Sequence, residues 1–547
     1  LPFARRLIQR LALAILAVVG LPTIATASPS HLIQPGMLVW GGDQEGGGPY
    51  VYPADDDPSR IVGFEVEIAD ALARQMGLHA SFFQGPWDRM PELLATHKCD
   101  VVLNGYEWMP SRLETMDATI PYYVYALQLL ARDDGEIRGW ADLSGLAAPG
   151  ARPSRRGTAL RRVGVLSGSA AERYLTERFA DGVEAVSYDG STDAMREVET
   201  KKLDATLQDT PVAVFYRSRF PHLVPVEAPV ARGYYVIYAR KGESDLVRDL
   251  DRALARLIQN GEMEAIHRKY GLWDDAQSEL ATIAAASKFY GLGPPPNASP
   301  PSGSSDSAGA ARETKAPGTP AVPVGPSERK RGLAVVTAYG PTLLRAAGLT
   351  VVLSCLSFPL AIAIGLSIAI TRLYGPAWTK SALAAYVEFL RGTPLMLQLY
   401  FIFFFLPEVG INVPAFWTAI LGLSVNYSAY ESEIYRAGLV SIPPGQMEAA
   451  LSLGMSRALA LRRIIVPQAA RIVLPPIVND FIALFKDTSI CSVVTLVELT
   501  KRFSILSQST QATFELMLMT GFLYLAMSYP LSLVSRVLER RLAGAPA

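Results

Sequence analysis

The stretch Glu448–Pro467, reading EAALSLGMSRALALRRIIVP, decides how this chain is read. It is polar and basic, yet it lies between apolar runs long enough to cross a bilayer. One reading is an arginine-rich amphipathic helix lying in the membrane interface. The other is a contact surface for something outside the bilayer. The small residues Ala449, Ala450 and Gly454 allow close backbone approach, and Glu448 offers a charged contact.

The whole chain sets bounds around that segment. Its 547 residues carry 51 basic and 51 acidic side chains, so no nucleic-acid partner is implied by charge. Half the residues are hydrophobic, with the long apolar runs concentrated in the C-terminal part. Roughly two to four domains fit this length. Cys99, Cys355 and Cys491 lie far apart, show no metal-ligand spacing and read as packing residues.

The order Glu448-Ala449-Ala450, Gly454, Ile464 and Val466-Pro467 resembles the cytoplasmic coupling loop of importer permeases in the ATP-binding cassette (ABC) superfamily. Further stretches are similar to the polar-amino-acid permeases of that superfamily: Phe389 to Leu395 (FLRGTPL), Tyr430 to Ile434 (YESEI), Arg436-Ala437-Gly438, Pro467-Gln468 and Phe485 to Ser489 (FKDTS). The resemblance implies a short helix that docks into a cleft of a separate ATPase subunit. No G-x-x-x-x-G-K-[ST] phosphate loop occurs in the chain, so ATP is expected on that partner and no cofactor on this chain. Two permease halves make one importer, which implies a homodimer.

Residues 1–27 place Arg5, Arg6 and Arg10 before an apolar core and a small-residue end, the pattern of a signal peptide; an uncleaved anchor is the alternative. Residues 28–275 then alternate strand and helix patterns. Phe64, Ile68, Leu72 and Met76 form one apolar helix face, and Met37–Trp40, His79–Phe83, Val101–Leu103, Arg162–Leu166 and Ala205–Gln208 read as strands. Open, mostly parallel α/β sheets are expected, with ligands at the strand carboxyl ends.

Gly63 to Ala69, Trp87-Asp88, Cys99 to Gly105, Pro110-Ser111-Arg112 and Pro121 to Tyr123 resemble the first lobe of extracytoplasmic binding proteins for polar amino acids. Val163 to Ser169 and Leu203 to Asp209 resemble the second. This implies a type II periplasmic binding protein fold, two lobes that close on a small ligand. By that resemblance Arg112 takes the ligand carboxylate, a bidentate fit that lysine cannot reproduce; the alternative is a surface arginine paired with Glu114. Asp209 receives the ammonium or caps the helix begun at Pro211. Trp87 covers the ligand or belongs to the core, and Gly105 is counted among the ligand-binding residues. Ser169 heads an S-x-x-E capping pattern with Glu172, where free N–H groups also suit an anion. Glu107 stands where the family has a small hydroxyl residue, and repels a ligand carboxylate unless Arg112 or a ligand cation offsets it. With Asp43, and Glu45 beside it, these carboxylates favour a cationic ligand, a solvated acidic rim being the alternative.

Residues 276–332 form a Pro/Ser/Gly-rich linker, holding the binding domain near its dock at roughly millimolar effective concentration. Residues 333–547 read as an all-α permease domain with spans near 348–371, 383–406, 414–438, 471–496 and 514–536. An odd number of crossings must separate an outer binding domain from an inner coupling loop, and three do. Arg372, Lys380, Arg457, Arg462, Arg463, Arg536, Arg540 and Arg541 then face the cytoplasm, while Arg329-Lys330-Arg331 breaks the bias. Glu431 lies at span depth, facing the translocation path or buried in the bundle. Glu388 with Arg391, and Lys486 with Asp487, read as local pairs. The expectation is therefore a multi-pass protein of the bacterial inner membrane, contacting lipid, whose binding domain faces the periplasm. It takes up a polar amino acid and contains no catalytic or metal site. A ligand-sensing receptor, a ligand-gated channel and a periplasmic enzyme on the same fold are the rivals; the chain shows no T-V-G-Y-G filter, and about ten residues follow the last span.

Overall fold

A computed structural model describes residues 32–143, 160–180, 182–285, 331–510 and 512–543. The expected signal segment and most of the expected linker lie outside them. The described residues group into two compact units that divide in sequence chiefly between Thr342 and Leu343.

The N-terminal unit is α/β and has two lobes. Lobe 1 is a five-stranded sheet in the order His79–Gln84, Met37–Gly42, Val101–Val102, Tyr238–Arg240, Met116–Ala118. Lobe 2 is built on Leu223–Pro225, Tyr123–Arg132, Ala205–Asp209, Arg161–Leu166 and Val183–Tyr188, with Val230–Tyr235 also paired to Tyr123–Arg132. The first three strands of lobe 1 are parallel, and Ala205–Asp209, Arg161–Leu166 and Val183–Tyr188 are parallel in lobe 2. Every other pairing in the two sheets is antiparallel, so the expectation of mostly parallel sheets is corrected. The cause is the crossing of the chain. Tyr123–Arg132 carries it into lobe 2 and Val230–Tyr235 brings it back, and strands on opposite journeys pair antiparallel.

The two crossings lie side by side and share backbone hydrogen bonds. Beside them Thr119 N donates to Ile237 O at 2.9 Å and Tyr122 N to Tyr235 O at 3.0 Å, while Val236 N is tied to lobe 1 through Tyr106 O at 3.0 Å. Asp251 fixes one end by accepting from Ile120 N at 2.7 Å. Two adjacent extended segments of this kind can bend together while each lobe stays rigid.

The helix Phe64–Gln75 follows from its pattern. Phe64, Ile68 and Leu72 are buried on one face, with Glu65 and Glu67 in the first turn and Arg74 in the last, as the helix dipole favours. Packing continues past the boundary expected at 275. Leu280 and Ile283 of the helix Glu279–Ala285 belong to the core, and the Gln277 amide pairs with Val124 like an extra strand residue, accepting from its N at 2.9 Å and donating to its O at 2.8 Å.

The C-terminal unit is helical. Among the described residues, two helices are long and apolar enough to cross a membrane, Leu333–Tyr374 and Thr513–Leu538. Ala415–Val440 is the central helix, packed against Val466–Asp487, Ala377–Gly392 and Leu395–Tyr400. Small residues let its neighbours approach: Gly365 opposite Ser428 and Glu431, Gly438 against Val473, Gly422 against Leu399. The segment expected as one span, 383–406, is broken at Thr393-Pro394, since proline has no N–H and clashes with the preceding turn. Gln398 Nε2 answers the acceptor freed at Leu390 O, donating to it at 2.9 Å, and also donates to Thr393 Oγ1 at 2.8 Å. The segment expected over 471–496 ends its α-helix at Asp487 and continues as a tighter 3₁₀ turn, Thr488–Val494.

Two expected ion pairs are replaced. Among the described residues Asp487 accepts from Tyr427 Oη at 2.7 Å rather than pairing with Lys486, and Arg391 lies over the Tyr430 ring rather than pairing with Glu388. Cys99 and Cys491 are buried, whereas Cys355 is exposed and packs against nothing in this chain that buries it.

Gly63 gives a stability test. Its φ is 147° and an added Cβ would lie 1.9 Å from the Tyr50 carbonyl oxygen. Gly63→Ala is expected to cost at least about 2 kcal/mol through backbone strain and displacement of Tyr50. Thermal unfolding of the full chain followed by tryptophan fluorescence measures it.

Candidate functional site

Between the lobes lies a cavity of about 30 Å³ whose lining includes Tyr50, Trp87, Gly105, Glu107, Ser169 and Asp209. Lobe 1 supplies it from the turn after Val101–Val102. Gly105 adopts φ 62°, left-handed backbone that glycine takes without strain, and donates its N–H to Glu65 Oε1 at 2.7 Å. Tyr122 Oη donates to the same oxygen at 2.5 Å. That turn aims Glu107 at lobe 2.

Glu107 is 1% exposed and both its oxygens are engaged. Oε2 accepts from Arg112 Nη1 at 2.8 Å, and Oε1 accepts from Ala170 N, on lobe 2, at 2.9 Å. Arg112 also donates to the Glu107 carbonyl at 2.9 Å and to Gly168 O across the cleft at 3.4 Å. Its guanidinium lies 4.6 Å from the Tyr106 ring centre and 5.4 Å from that of Trp87, so aromatic faces replace lost water around the charge. The pairing with Glu114 does not occur; Glu107 takes that place.

On lobe 2, Ser169 heads the helix Ala170–Arg178. Its Oγ accepts from Glu172 N at 3.3 Å and donates to Leu166 O at 2.7 Å. The Glu172 carboxylate reaches back to Gly168 N at 2.6 Å, one residue earlier than a regular capping box. Asp209 closes its strand and precedes the helix Thr210–Tyr216 without capping it through its side chain. Instead Tyr235 Oη donates to Asp209 Oδ2, and Tyr50 and Tyr235 share a hydroxyl–hydroxyl bond of 2.8 Å. Burial, with the Glu107 charge adding to it, pushes the Asp209 carboxyl up to about 8, against the opposing Tyr235 hydrogen bond.

Asp43 belongs elsewhere. Its Oδ1 accepts from Gln84 Nε2 at 2.7 Å and Glu45 N at 3.0 Å, and its Oδ2 from Trp87 N at 3.1 Å. It ties the glycine-rich loop to the Trp87 turn, and Gly46, not Asp43, represents that loop in the cavity lining. Trp87 does line the cavity, with its indole N–H held by Asn104 O at 2.9 Å. Tyr50 and Tyr235 were not expected from the sequence; the tyrosine doublets at 122–123 and 234–235, flanking the two crossings, were the available signal.

The second site is the loop around Gly454. The helix Pro444–Ser452 ends with Gly454 at φ 79°, Gly454 N donating to Leu451 O at 2.9 Å and Met455 N to Ala450 O at 3.1 Å. This is a Schellman stop, and no neighbour lies within 4 Å of an added Gly454 Cβ, so the local reason for glycine is the backbone turn. Glu448, Ala449 and Pro467 are exposed, Ala450 is buried, and Leu453 at the tip is 82% exposed. Glu431 is buried in the central helix, with Tyr435 and Asp480 as polar neighbours.

A pH dependence follows from Asp209. Its carboxyl titrates higher folded than unfolded, so the stability it contributes is complete below about pH 4 and is lost as pH rises toward 8. Between pH 6.5 and 8 the full chain is expected to lose on the order of 1 kcal/mol from this group. Asp209→Asn should flatten that part of the Tm–pH curve.

A family model of bacterial extracellular solute-binding proteins, family 3, matches residues 42–272, and one of the binding-protein-dependent transport system inner membrane component matches 361–544. The chain is 35% identical over 209 residues to the L-cystine transport system permease protein TcyB of Bacillus subtilis (strain 168), covering 38% of this chain and 89% of that protein. It is 36% identical over 194 residues to the octopine transport system permease protein OccM of Rhizobium meliloti, covering 34% and 79%. A solved structure, the crystal structure of an amino acid ABC transporter with histidines, is 35% identical, covers 39% of this chain and 99% of that one, and gives a TM-score of 0.37. A two-lobed α/β unit followed by a helical unit agrees with the two family models and the permease relatives: the chain belongs to the amino-acid ABC transporters, with a family 3 solute-binding domain and an inner-membrane transport component in one polypeptide.

Proposed function

We propose that this chain is the substrate-binding and permease subunit of an importer that brings a polar, cationic amino acid across the bacterial inner membrane. The observation that carries the reading is the pairing of chemistries at one cleft. Arg112 stands behind Glu107 on lobe 1, suited to a carboxylate, and Asp209 lines the cavity from lobe 2, suited to an ammonium. Ser169 and the first N–H groups of its helix add a second anion contact. Trp87 and Tyr50 cover the remaining apolar part of a ligand, and Gly105 leaves room for its backbone. Glu107, joined by Asp209 once a bound cation offsets the burial that keeps its proton on, favours a positive charge, in keeping with an arginine- or opine-like solute.

In this proposal five spans cross the bilayer and two copies form the pathway. The binding domain faces the periplasm, and the patch of Glu448, Ala449, Gly454 and Leu453, with Ala450 packed beneath it, meets a separate ATPase on the cytoplasmic side. Leu453 supports that placement: its exposed side chain forgoes about 1.5–3 kcal/mol of burial that a partner's cleft would recover. Glu431 contributes to the pathway. The chain itself performs no covalent chemistry and holds no cofactor; ATP is hydrolysed on the partner.

Two measurements test this. Proteoliposomes holding the full chain and its ATPase should accumulate labelled L-arginine or a related amino acid only with ATP, and Leu453→Asp should abolish uptake while leaving ligand binding intact. Uptake without the ATPase would defeat the proposal. Arg112→Lys should weaken amino-acid binding at least ~10-fold, because a point-like ammonium cannot hold the acceptors that the guanidinium spans. Titration calorimetry on the full chain reads that change, and unchanged affinity would remove Arg112 from the site.

A further inference from the structure

The anion seat of the cleft is filled by the protein's own side chain. One Glu107 oxygen sits on the Arg112 guanidinium at 2.8 Å, and the other sits on Ala170 N, at the start of a nine-residue helix on the opposite lobe, at 2.9 Å. Those are the two contacts a free amino acid's carboxylate would make there: a charge-assisted bond to arginine and one to a helix N-terminus. The Glu107 side chain is 2% exposed and that of Arg112 14%. The cavity that remains, about 30 Å³, has room for a water or so rather than an amino acid. The lobes are thus bridged with the seat taken.

We propose that Glu107 is an internal competitor, a tethered carboxylate that holds the lobes together without ligand and must leave before a ligand carboxylate can bind. Two carboxylates cannot share the seat, because like charges a few ångströms apart in a dry site repel strongly. The ligand's apparent affinity is then multiplied by the fraction of time the seat is free. An occupancy by Glu107 of about nine-tenths lowers affinity about tenfold. Glu107 therefore sets both the affinity threshold and the closed state of the ligand-free domain. The competition rests on the amino-acid reading given above; the bridge between lobes does not.

The experiment uses the full chain in nanodiscs, with Cys355→Ser removing the exposed native thiol. Spin labels are placed at Asp70→Cys on lobe 1 and Glu177→Cys on lobe 2, both exposed. Without ligand, the inter-lobe distance should be narrow and short, and Glu107→Ser should lengthen or broaden it. In titrations, Glu107→Ser should tighten L-arginine binding ~10-fold or more while leaving agmatine, the same cation without a carboxylate, no tighter. Glu107→Gln keeps the shape without the charge and should open the lobes too, which covers a serine variant that folds poorly. Unchanged ligand-free distances in both variants, or L-arginine binding that weakens on removal of the carboxylate, overturns the proposal. Opening of the lobes with no binding of L-arginine, L-glutamine or L-cystine by either form upholds the bridge and overturns the amino-acid reading instead.

Discussion

A carboxylate held between a guanidinium and the first N–H of a helix is the contact on which the binding domain's geometry turns. Glu107, Arg112 and Ala170 come from two lobes, and their bonds are charge-assisted and nearly dry. Buried charges of this kind are tolerable only when each has a partner, so the site's chemistry and its closed shape are one problem. The aromatic faces of Trp87 and Tyr106 and the Tyr235–Asp209 bond are consequences of the same demand. Each gives a buried polar or charged group something in place of water.

The two units solve packing differently. In the lobes, large side chains such as Trp40, Phe64 and Tyr122 are withdrawn from water, and the area removed supplies most of the driving force. In the helical unit lipid offers no such gain between helices. Close approach must come from small residues, and Gly365, Gly422 and Gly438 lie where side chains of adjacent helices press in. One cluster of charges there is settled within the bundle: Glu433 takes both Arg372 and Arg436.

Much of this was legible in the residues. The four-residue spacing of Phe64, Ile68 and Leu72 located a helix and its buried face, and the short β patterns located strands at 37, 79, 101, 162 and 205 to within a residue or two. Gly105, Trp87, Glu107, Ser169 and Asp209 do gather at one cavity, because turn chemistry and strand ends fix them locally. What was not legible depends on partners distant in sequence. Asp43 has the right type for a ligand cation, but Gln84 and the Trp87 N–H claim it. Tyr235 enters the site because two crossings lie side by side, and Tyr50 because its hydroxyl meets Tyr235 across 185 residues of sequence; the tyrosine doublets mark the crossings without giving that pairing. The break at Pro394 was visible as a proline, yet apolarity alone joined its two sides into one span. Sheet direction was missed for a topological reason: the alternation of strand and helix does not reveal which strands carry the chain between lobes.

The stop at Gly454 has a consequence beyond its fit to any partner. Its backbone hydrogen bonds run within 449–455, so the turn at the tip is held closed by its own backbone. In the proposed coupling, a push delivered there would meet no slack turn and would pass along Pro444–Ser452 into the packed helices as from the end of a stiff lever.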